Sequence, residues 1–340
     1  MSWRRVLGAV IMVVAVAGVL AYAGASWMLF DAVSRVDPHC GFFEDGSPRF
    51  EQYTPASFGM AGVSDDFTAG GFDTAPYAMP EFEEVRFGSR DGVELAAWWV
   101  PGDRPEAAAV VLVHGKGSCR HDPVLLLPAG MLHRNGFAVL LVDVRDHGDS
   151  TVLDGRYTGG TQEYVDALGA WDWLRTQGLP AERIGLLGES NGAATVVIAA
   201  GEEPGIVATW EDSGYSDKST VVGEEVRHAG YPEVLTVGAK LWGFLFGINL
   251  DEHRPIDAVA KIGGRRLMIV HGLSDERVQP HHALDFARAR EKAVGKQGTD
   301  LVPWFVPGAE HVQAAFAAPD EYEQRLVAFF TAALGNPRQP

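Results

Sequence analysis

The sequence predicts an α/β protein whose mostly parallel central sheet carries helices on both faces. Three observations carry this. Short, nearly continuous apolar runs recur at "AAAVVLVHG" (107–115), "FAVLLVD" (137–143), "IGLLG" (184–188), "IVATWED" (206–212), "RLMIVHG" (266–272) and "LVPWFVPG" (301–308). They are too short for helices, and strands buried on both faces of a parallel sheet require this Val, Ile and Leu content. Between them lie stretches of helical period. "TQEYVDALGAWDWLRTQG" repeats apolar side chains at Tyr164, Leu168, Trp171 and Leu174 and stops at Gly178; "HHALDFARAREKAVG" and "DEYEQRLVAFFTAALG" behave alike. Strand and helix in alternation make an open parallel sheet. The third observation is an N-terminal β-hairpin. In "FEEVRFGSRDGVELAAWWVPG" two strand-forming runs flank Asp91-Gly92, a tight-turn dipeptide. The long stretch 214–255 breaks the rhythm and is expected to be a small cap inserted after the sixth strand.

The chain has 340 residues, 46% hydrophobic and 21% charged, which suffices for one large domain plus an appendage. Its net charge of −17 repels phosphate backbones and argues against nucleic-acid binding. Two cysteines, Cys40 and Cys119, lie far apart in no metal-ligand spacing and are read as free thiols. No metal or cofactor is expected.

The N-terminus has a different character. Val6 to Phe30 is uncharged and mostly apolar, long enough for the roughly 20 residues a bilayer core requires. Arg4 and Arg5 precede it, which favours a cytoplasmic N-terminus and an extracytoplasmic body. Residues 1–30 are therefore read as a transmembrane or signal-anchor helix. The alternative is secretion after signal cleavage, because Ala21-Tyr22-Ala23 resembles a small-x-small cleavage site. Residues 31–80, rich in Gly, Pro, Ser and acidic side chains, read as a linker docked by aromatics such as Phe58, Phe67 and Phe72. Residues 81–335 then form the catalytic domain, with the 214–255 insertion as its cap.

The chemistry concentrates in "IGLLGESNGAA" (184–194). Ser190 stands between Gly188 and Gly192, after an apolar strand and before a small-residue helix. That is the setting of a nucleophile elbow, where the turn is too tight for side chains two residues either side of the serine. A serine hydroxyl needs a base, and the base needs an orienting acid. Asp275 follows the strand "RLMIVHG", and His311 follows the strand "LVPWFVPG". Both loops open on the sheet edge where ligands of such sheets gather. Asp275 is expected to hold the His311 imidazole, leaving its other nitrogen for the Ser190 proton. His281 and His282 begin a helix in the wrong loop, and His228 and His253 fall in the insertion with a solvated role. His114, at a strand end ahead of the serine, is read as a structural loop residue. Glu276 and Glu310 merely neighbour the acid and the base. The oxyanion needs two backbone N–H donors: Asn191, at a helix N-terminus, and Lys116, with Gly117 as its substitute.

These landmarks resemble the α/β-hydrolase fold superfamily, and within it the serine hydrolases of the prolyl-oligopeptidase-like and dienelactone-hydrolase-like group, membrane-anchored α/β-hydrolase-domain enzymes included. The matching segments are "SRDGVELAAWWVPG", "VVLVHGKG", "VLLVDVRDHGDS", "RIGLLGESNGAA", "HGLSDERV" and "GAEH", in order from Glu81 to the C-terminal helix. The resemblance implies the α/β-hydrolase fold, a triad of Ser190, Asp275 and His311, and an oxyanion hole from the Lys116 and Asn191 amides. Two positions depart from it. Asn191-Gly192-Ala193 replaces a bulky residue followed by Gly-Gly, and Asp146 stands where glycine is common.

The expected function is a serine hydrolase acting on small-molecule carboxylic esters through an acyl-enzyme. Alternatives are an aminopeptidase-like peptidase, a thioesterase or acyltransferase, and a non-catalytic binding protein. The serine at the elbow excludes relatives that use aspartate there. The aromatic stretch "KLWGFLFGINL" (240–250) reads as cap core, with an acyl pocket or a membrane contact as the other readings.

Overall fold

Each of the apolar runs forms a strand in the computed structural model, which describes residues 3–40, 50–61, 72–295 and 302–339. The strands are β1 (Glu83–Gly88), β2 (Glu94–Val100), β3 (Ala109–Val113), β4 (Ala138–Val142), β5 (Ile184–Glu189), β6 (Ala208–Asp212), β7 (Arg266–Gly272) and β8 (Trp304–Val306). They form one sheet in the order β1-β2-β4-β3-β5-β6-β7-β8. β1 and β2 make the antiparallel hairpin, β2 runs antiparallel to β4, and every later pairing is parallel. This is the α/β-hydrolase arrangement.

The helices are α1 (Trp3–Ser34), α2 (Pro55–Ala61), α3 (Pro123–Arg134), α4 (Tyr164–Thr176), α5 (Asn191–Glu202), α6 (Lys218–His228), α7 (Val234–Leu245), α8 (Pro255–Ile262), α9 (His281–Val294), α10 (Ala314–Ala317) and α11 (Pro319–Leu334). Strand side chains alternate between two cores. Val110, Leu112, Leu141 and Trp210 meet α3 and α11 on one face; Val111, Val113, Leu140 and Leu186 meet α4, α5 and α9 on the other. The segment 214–255 contributes α6 and α7 between β6 and α8. Helix α3 has no counterpart in the sequence reading. It is apolar nearly all round and holds Pro128, so it shows no amphipathic period, because the sheet, α11 and the N-terminal segment cover it on several sides.

The described residues within 31–80 correct the expectation of a linker. α1 runs on to Ser34, and Phe50, Tyr53, Phe58, Tyr77 and Met79 are buried against α3 and β2. Aromatics scattered among Gly, Pro and acidic residues carry no period, yet each fills a hollow on the sheet's outer face. Phe72 packs on Tyr77 and Phe316; Phe67 lies outside the described residues. The two cysteines also depart from expectation. Cys40 and Cys119 form a disulfide with their Cα atoms 5.2 Å apart, a closeness made by the fold across a sequence separation of 79. Closing a loop of that size stabilises the folded chain by about 4 kcal/mol through the restricted unfolded state. Reduction is expected to lower the urea midpoint of the full-length chain accordingly. An unchanged midpoint would mean that the contacts of Phe50, Tyr53 and Phe58 hold this segment unaided.

Candidate active site

Ser190 sits at the turn from β5 into α5 with φ 55° and ψ −119°, a conformation that side chains rarely adopt. Its N–H donates to the Asp212 carbonyl at 2.9 Å, which fixes the turn to β6. A Cβ on Gly188 would collide with the Gly192 carbonyl, and one on Gly192 with the carbonyls of Val113 and His114. The two glycines therefore let β3, β5 and α5 converge under the serine, and Ser190 is lifted at the sheet edge.

The loops after β7 and β8 complete the arrangement. Gly272 permits them to touch, since a Cβ there would strike the Ala309 carbonyl. His311 Nε2 lies 2.8 Å from Ser190 Oγ, and its Nδ1 lies 2.8 Å from Asp275 Oδ2. Asp275 is buried, and its Oδ1 accepts the amides of Arg277 (3.0 Å) and Val278 (2.8 Å). Burial alone would raise the pKa of this carboxyl. Hydrogen bonds from His271, His311 and the Val278 amide outweigh it and hold the group well below the usual carboxylate range. Asp275 is thus a permanent anion directed at Nδ1, and Nε2 is left facing the hydroxyl. Chemically, this geometry can take a proton from Ser190 as its oxygen attacks a carbonyl.

On the other side of Ser190 the β3 loop passes close, and a Cβ on Gly115 would come within 3.2 Å of the Ser190 Cβ. The amides of Lys116 and Asn191 have no protein acceptor among the described residues, whereas the Gly117 amide is engaged by His147 Nε2 at 3.2 Å. That leaves Lys116 and Asn191 as available donors and removes Gly117 as a substitute. Two buried histidines brace this loop. His114 Nδ1–H donates to the Gly115 carbonyl (2.8 Å) and its Nε2 accepts the Val144 amide (3.2 Å); His147 Nδ1–H donates to the Arg145 carbonyl (2.9 Å). Burial pushes His114 down to about 4 and His147 to about 3, so both are neutral supports. His147 was legible only as part of "RDHGDS", where no pattern marks a brace.

Lys116 has a second connection. Its Nζ donates to the carbonyls of Ala32 (3.2 Å) and Val33 (2.8 Å), capping the C-terminal turn of α1. Burial and the nearby Lys218 lower this amine to about 7. The oxyanion-side loop is thereby tied to the N-terminal helix.

The departures from the expected pattern find physical roles. Asp146 adopts φ 63° and its Oδ1 accepts the amides of Leu153, Asp154 and Gly155, which a glycine could not do. The Asn191 side chain faces a buried polar cluster, where Oδ1 accepts Tyr215 Oη–H (3.0 Å) and Lys218 Nζ–H (3.2 Å). His271, buried on β7, was missed as anything but strand. It donates from Nε2 to the Val278 carbonyl at 2.7 Å and lies 3.4 Å from Asp275 Oδ2, supporting the acid from beneath. Glu276 and Glu310 are exposed. His228 ends α6 in solvent, and His253 packs against Tyr164 with the two rings tilted by 40°. His281 and His282 both point Nε2 at Glu224 on α6, at 2.7 Å and 3.1 Å. The Ser216 amide donates to His282 Nδ1, and the trio forms a hydrogen-bonded clasp between cap and body.

The cleft above Ser190 has a volume of about 240 Å³ and is lined by Phe50, Lys116, Glu189, Arg277, His311 and Val312 among others. Burial, and then the neighbouring Asp212 carboxyl, raise the Glu189 pKa well above its ordinary value. The 240–250 stretch does not line this cleft. Trp242 and Ile248 pack on α1, while Leu241, Phe244, Leu245 and Phe246 are exposed, which corrects the reading of a cap core.

With the geometry in place, comparison with known proteins points one way. The model of the prolyl oligopeptidase family matches residues 128–337. A thiohydrolase of Aspergillus aculeatus, aneE, is 32% identical over 120 residues. That match spans 35% of this chain and 37% of the relative, little more than a third of either. Among solved structures, the Pyrococcus furiosus esterase Pf2001 superposes with a TM-score of 0.59 at 22% identity, covering 78% of this chain and 98% of the esterase. A puromycin-hydrolysing peptidase of Mycobacterium tuberculosis gives a TM-score of 0.58 at 20% identity, over 76% of this chain and 40% of the peptidase. At these identities the superpositions speak to fold.

Proposed function

Because the chain belongs to the prolyl oligopeptidase family and is a serine hydrolase of the α/β type, we propose that it cleaves carboxylic esters through Ser190, His311 and Asp275. The observation that carries this is the unbroken relay from Asp275 Oδ2 through His311 to Ser190 Oγ, with 2.8 Å at each step. In this reading Ser190 attacks the acyl carbonyl as His311 takes its proton. The Lys116 and Asn191 amides stabilise the oxyanion, the alcohol leaves with the proton from His311, and water releases the acid.

The cleft's charges favour an ester over an amino-terminal peptide. A free α-ammonium needs a carboxylate to hold it. Asp122 caps α3 through Val124 N–H (3.0 Å) and the Glu189 carboxyl is buried, while the Arg277 guanidinium stands on the cleft wall. A thioester is the second reading, supported by the similarity to a thiohydrolase. The test is a panel of short and long acyl esters, acyl thioesters and aminoacyl amides with purified full-length protein. Esters are expected to turn over at least about 100-fold faster than aminoacyl amides in kcat/KM, a difference of roughly 3 kcal/mol in transition-state binding. Amides turned over as fast as esters would assign the site to a peptidase.

For location, we read residues 1–30 as a single membrane anchor and the hydrolase domain, 81–335, as extracytoplasmic. Arg4 and Arg5 ahead of the apolar run support this orientation. The Cys40–Cys119 disulfide supports an oxidising compartment for the body.

A further inference from the structure

His281 and His282 lie in the wrong loop for the triad, and the hydrolytic relay uses neither. They open α9, where the loop that carries Asp275 runs into the helix, and both turn Nε2 toward one carboxylate. His281 Nε2 lies 2.7 Å from Glu224 Oε1, and His282 Nε2 lies 3.1 Å from Glu224 Oε2. Glu224 belongs to α6, the first helix of the 214–255 cap. Its side chain is 8% exposed and that of His282 is fully buried, while that of His281 is 37% exposed. Among the described residues no lysine or arginine pairs with the Glu224 carboxylate. A buried carboxylate is stable when it is paired with a cation or binds a metal.

The other nitrogen of each ring is held as in metal-ligand histidines. His281 Nδ1 lies 3.3 Å from Asp285 Oδ2, one turn along α9, and His282 Nδ1 lies 2.8 Å from Ser216 Oγ. A carboxylate or hydroxyl that takes the Nδ1 proton fixes the ring and leaves the Nε2 lone pair for a metal. The spacing fits as well. One ligand atom from each of Glu224, His281 and His282 lies within 4.8 Å of the other two. Zinc bonds of about 2.0–2.1 Å place neighbouring tetrahedral ligands about 3.3 Å apart. The separations of 2.7 Å and 3.1 Å have to open only slightly to reach that. Two imidazoles and a carboxylate, with no thiolate, suit a first-row divalent ion such as zinc.

We propose that Glu224, His281 and His282 bind one zinc ion, with water as the fourth ligand on the exposed His281 side, and that the ion pins cap helix α6 to the start of α9. In the metal-free clasp the Ser216 amide donates to His282 Nδ1 at 3.2 Å, and Nε2–H faces Glu224. On binding, Nε2 of His282 gives its proton to water and its lone pair to the ion. Nδ1 takes a proton from water and donates it to Ser216 Oγ. The Ser216 amide loses its acceptor, and the metal bonds outweigh that loss. Sequence spacing hides the site, because Glu224 stands 57 residues from His281. Its position shows what it steadies. Val221 of α6 packs with Tyr215, Ala194 and Val278, and Val278 is the residue whose amide holds Asp275 Oδ1. Zinc at this corner locks the cap to the acid loop. The ion is structural, since its ligands do not line the Ser190 cleft, and the inference does not depend on which bond the enzyme cleaves.

The test uses the full-length chain in detergent, stripped with a chelator, desalted and titrated with Co²⁺, whose visible absorption reports tetrahedral binding. Zn²⁺ is then added in competition. The expected result is one equivalent of cobalt per chain with intense visible bands that zinc removes. His281 is the most exposed of the three ligands, so His281→Ala disturbs the fold least. It is expected to weaken binding at least about 100-fold, and Asp285→Asn about 10-fold through the lost hold on His281. Zinc should raise the thermal midpoint of the wild type and leave that of His281→Ala unchanged. His311→Ala separates this site from the triad and is expected to keep the wild-type affinity. Binding lost in His311→Ala and kept in His281→Ala would place the metal at the triad and overturn the inference. Equal binding by every variant would mean an adventitious ion only and would overturn it too. A folded wild type that takes up neither cobalt nor zinc would leave the trio a hydrogen-bonded clasp and end the metal assignment.

Discussion

Replacing Ser190 by alanine is expected to abolish labelling by a fluorophosphonate and to lower ester turnover by about 10⁴- to 10⁶-fold, while the thermal midpoint stays within a few degrees of wild type. The loss is large because, among the described residues lining the cleft, this hydroxyl is the one held 2.8 Å from a histidine base. The fold is spared because the strained backbone at φ 55° is imposed by Gly188, Gly192 and the Asp212 carbonyl rather than by the Ser190 side chain. The measurement belongs on the full-length chain in detergent. Residues 22–34 pack on α7 and accept the Lys116 amine, so a body cut free at residue 35 would lose part of its own support. Labelling of the alanine variant at the wild-type rate would show that another nucleophile reacts, and would end the assignment of Ser190.

Asp275→Asn is expected to lower kcat by about 10⁴-fold with KM little changed. An amide oriented to keep the Arg277 and Val278 N–H bonds on its oxygen must turn its NH₂ toward His311. His311 would then present a bare Nδ1 to that NH₂ and a protonated Nε2 to Ser190, the tautomer that cannot accept the serine proton. Fluorophosphonate labelling should slow in proportion and still reach completion, unlike the Ser190 variant. If kcat fell less than about ten-fold, the carboxylate would be a structural acceptor for two amides and no part of the relay.

The sequence by itself determined the parts of this molecule whose cause is local. Six apolar runs became parallel-sheet strands because Val, Ile and Leu in short blocks have little alternative to burial on both faces. The Asp91-Gly92 hairpin and the Gly188–Gly192 elbow were legible because a tight turn limits residue choice at fixed offsets. Ser190, Asp275 and His311 could be singled out because each closes or follows a strand, and strand ends of a parallel sheet share one edge.

Only the tertiary structure decided what depends on distance between segments remote in the chain. The Cys40–Cys119 bond needs a Cα separation that no spacing encodes. Residues 31–80 looked like linker because isolated aromatics show no period, and the hollows that Phe50, Tyr53, Phe58 and Tyr77 fill exist only once α3 lies on the sheet. Helix α3 itself was hidden because burial on several sides erases the amphipathic signal. His147 beneath the Lys116 loop, His271 beneath Asp275, and the Lys116 amine on the end of α1 are supports whose partners lie about 30 or more residues away or across a loop, and nothing local marks a side chain for such work. The two faces of α7 make the same point. Its composition announces an apolar helix, but which stripe meets protein and which is left bare follows from where α1 crosses it.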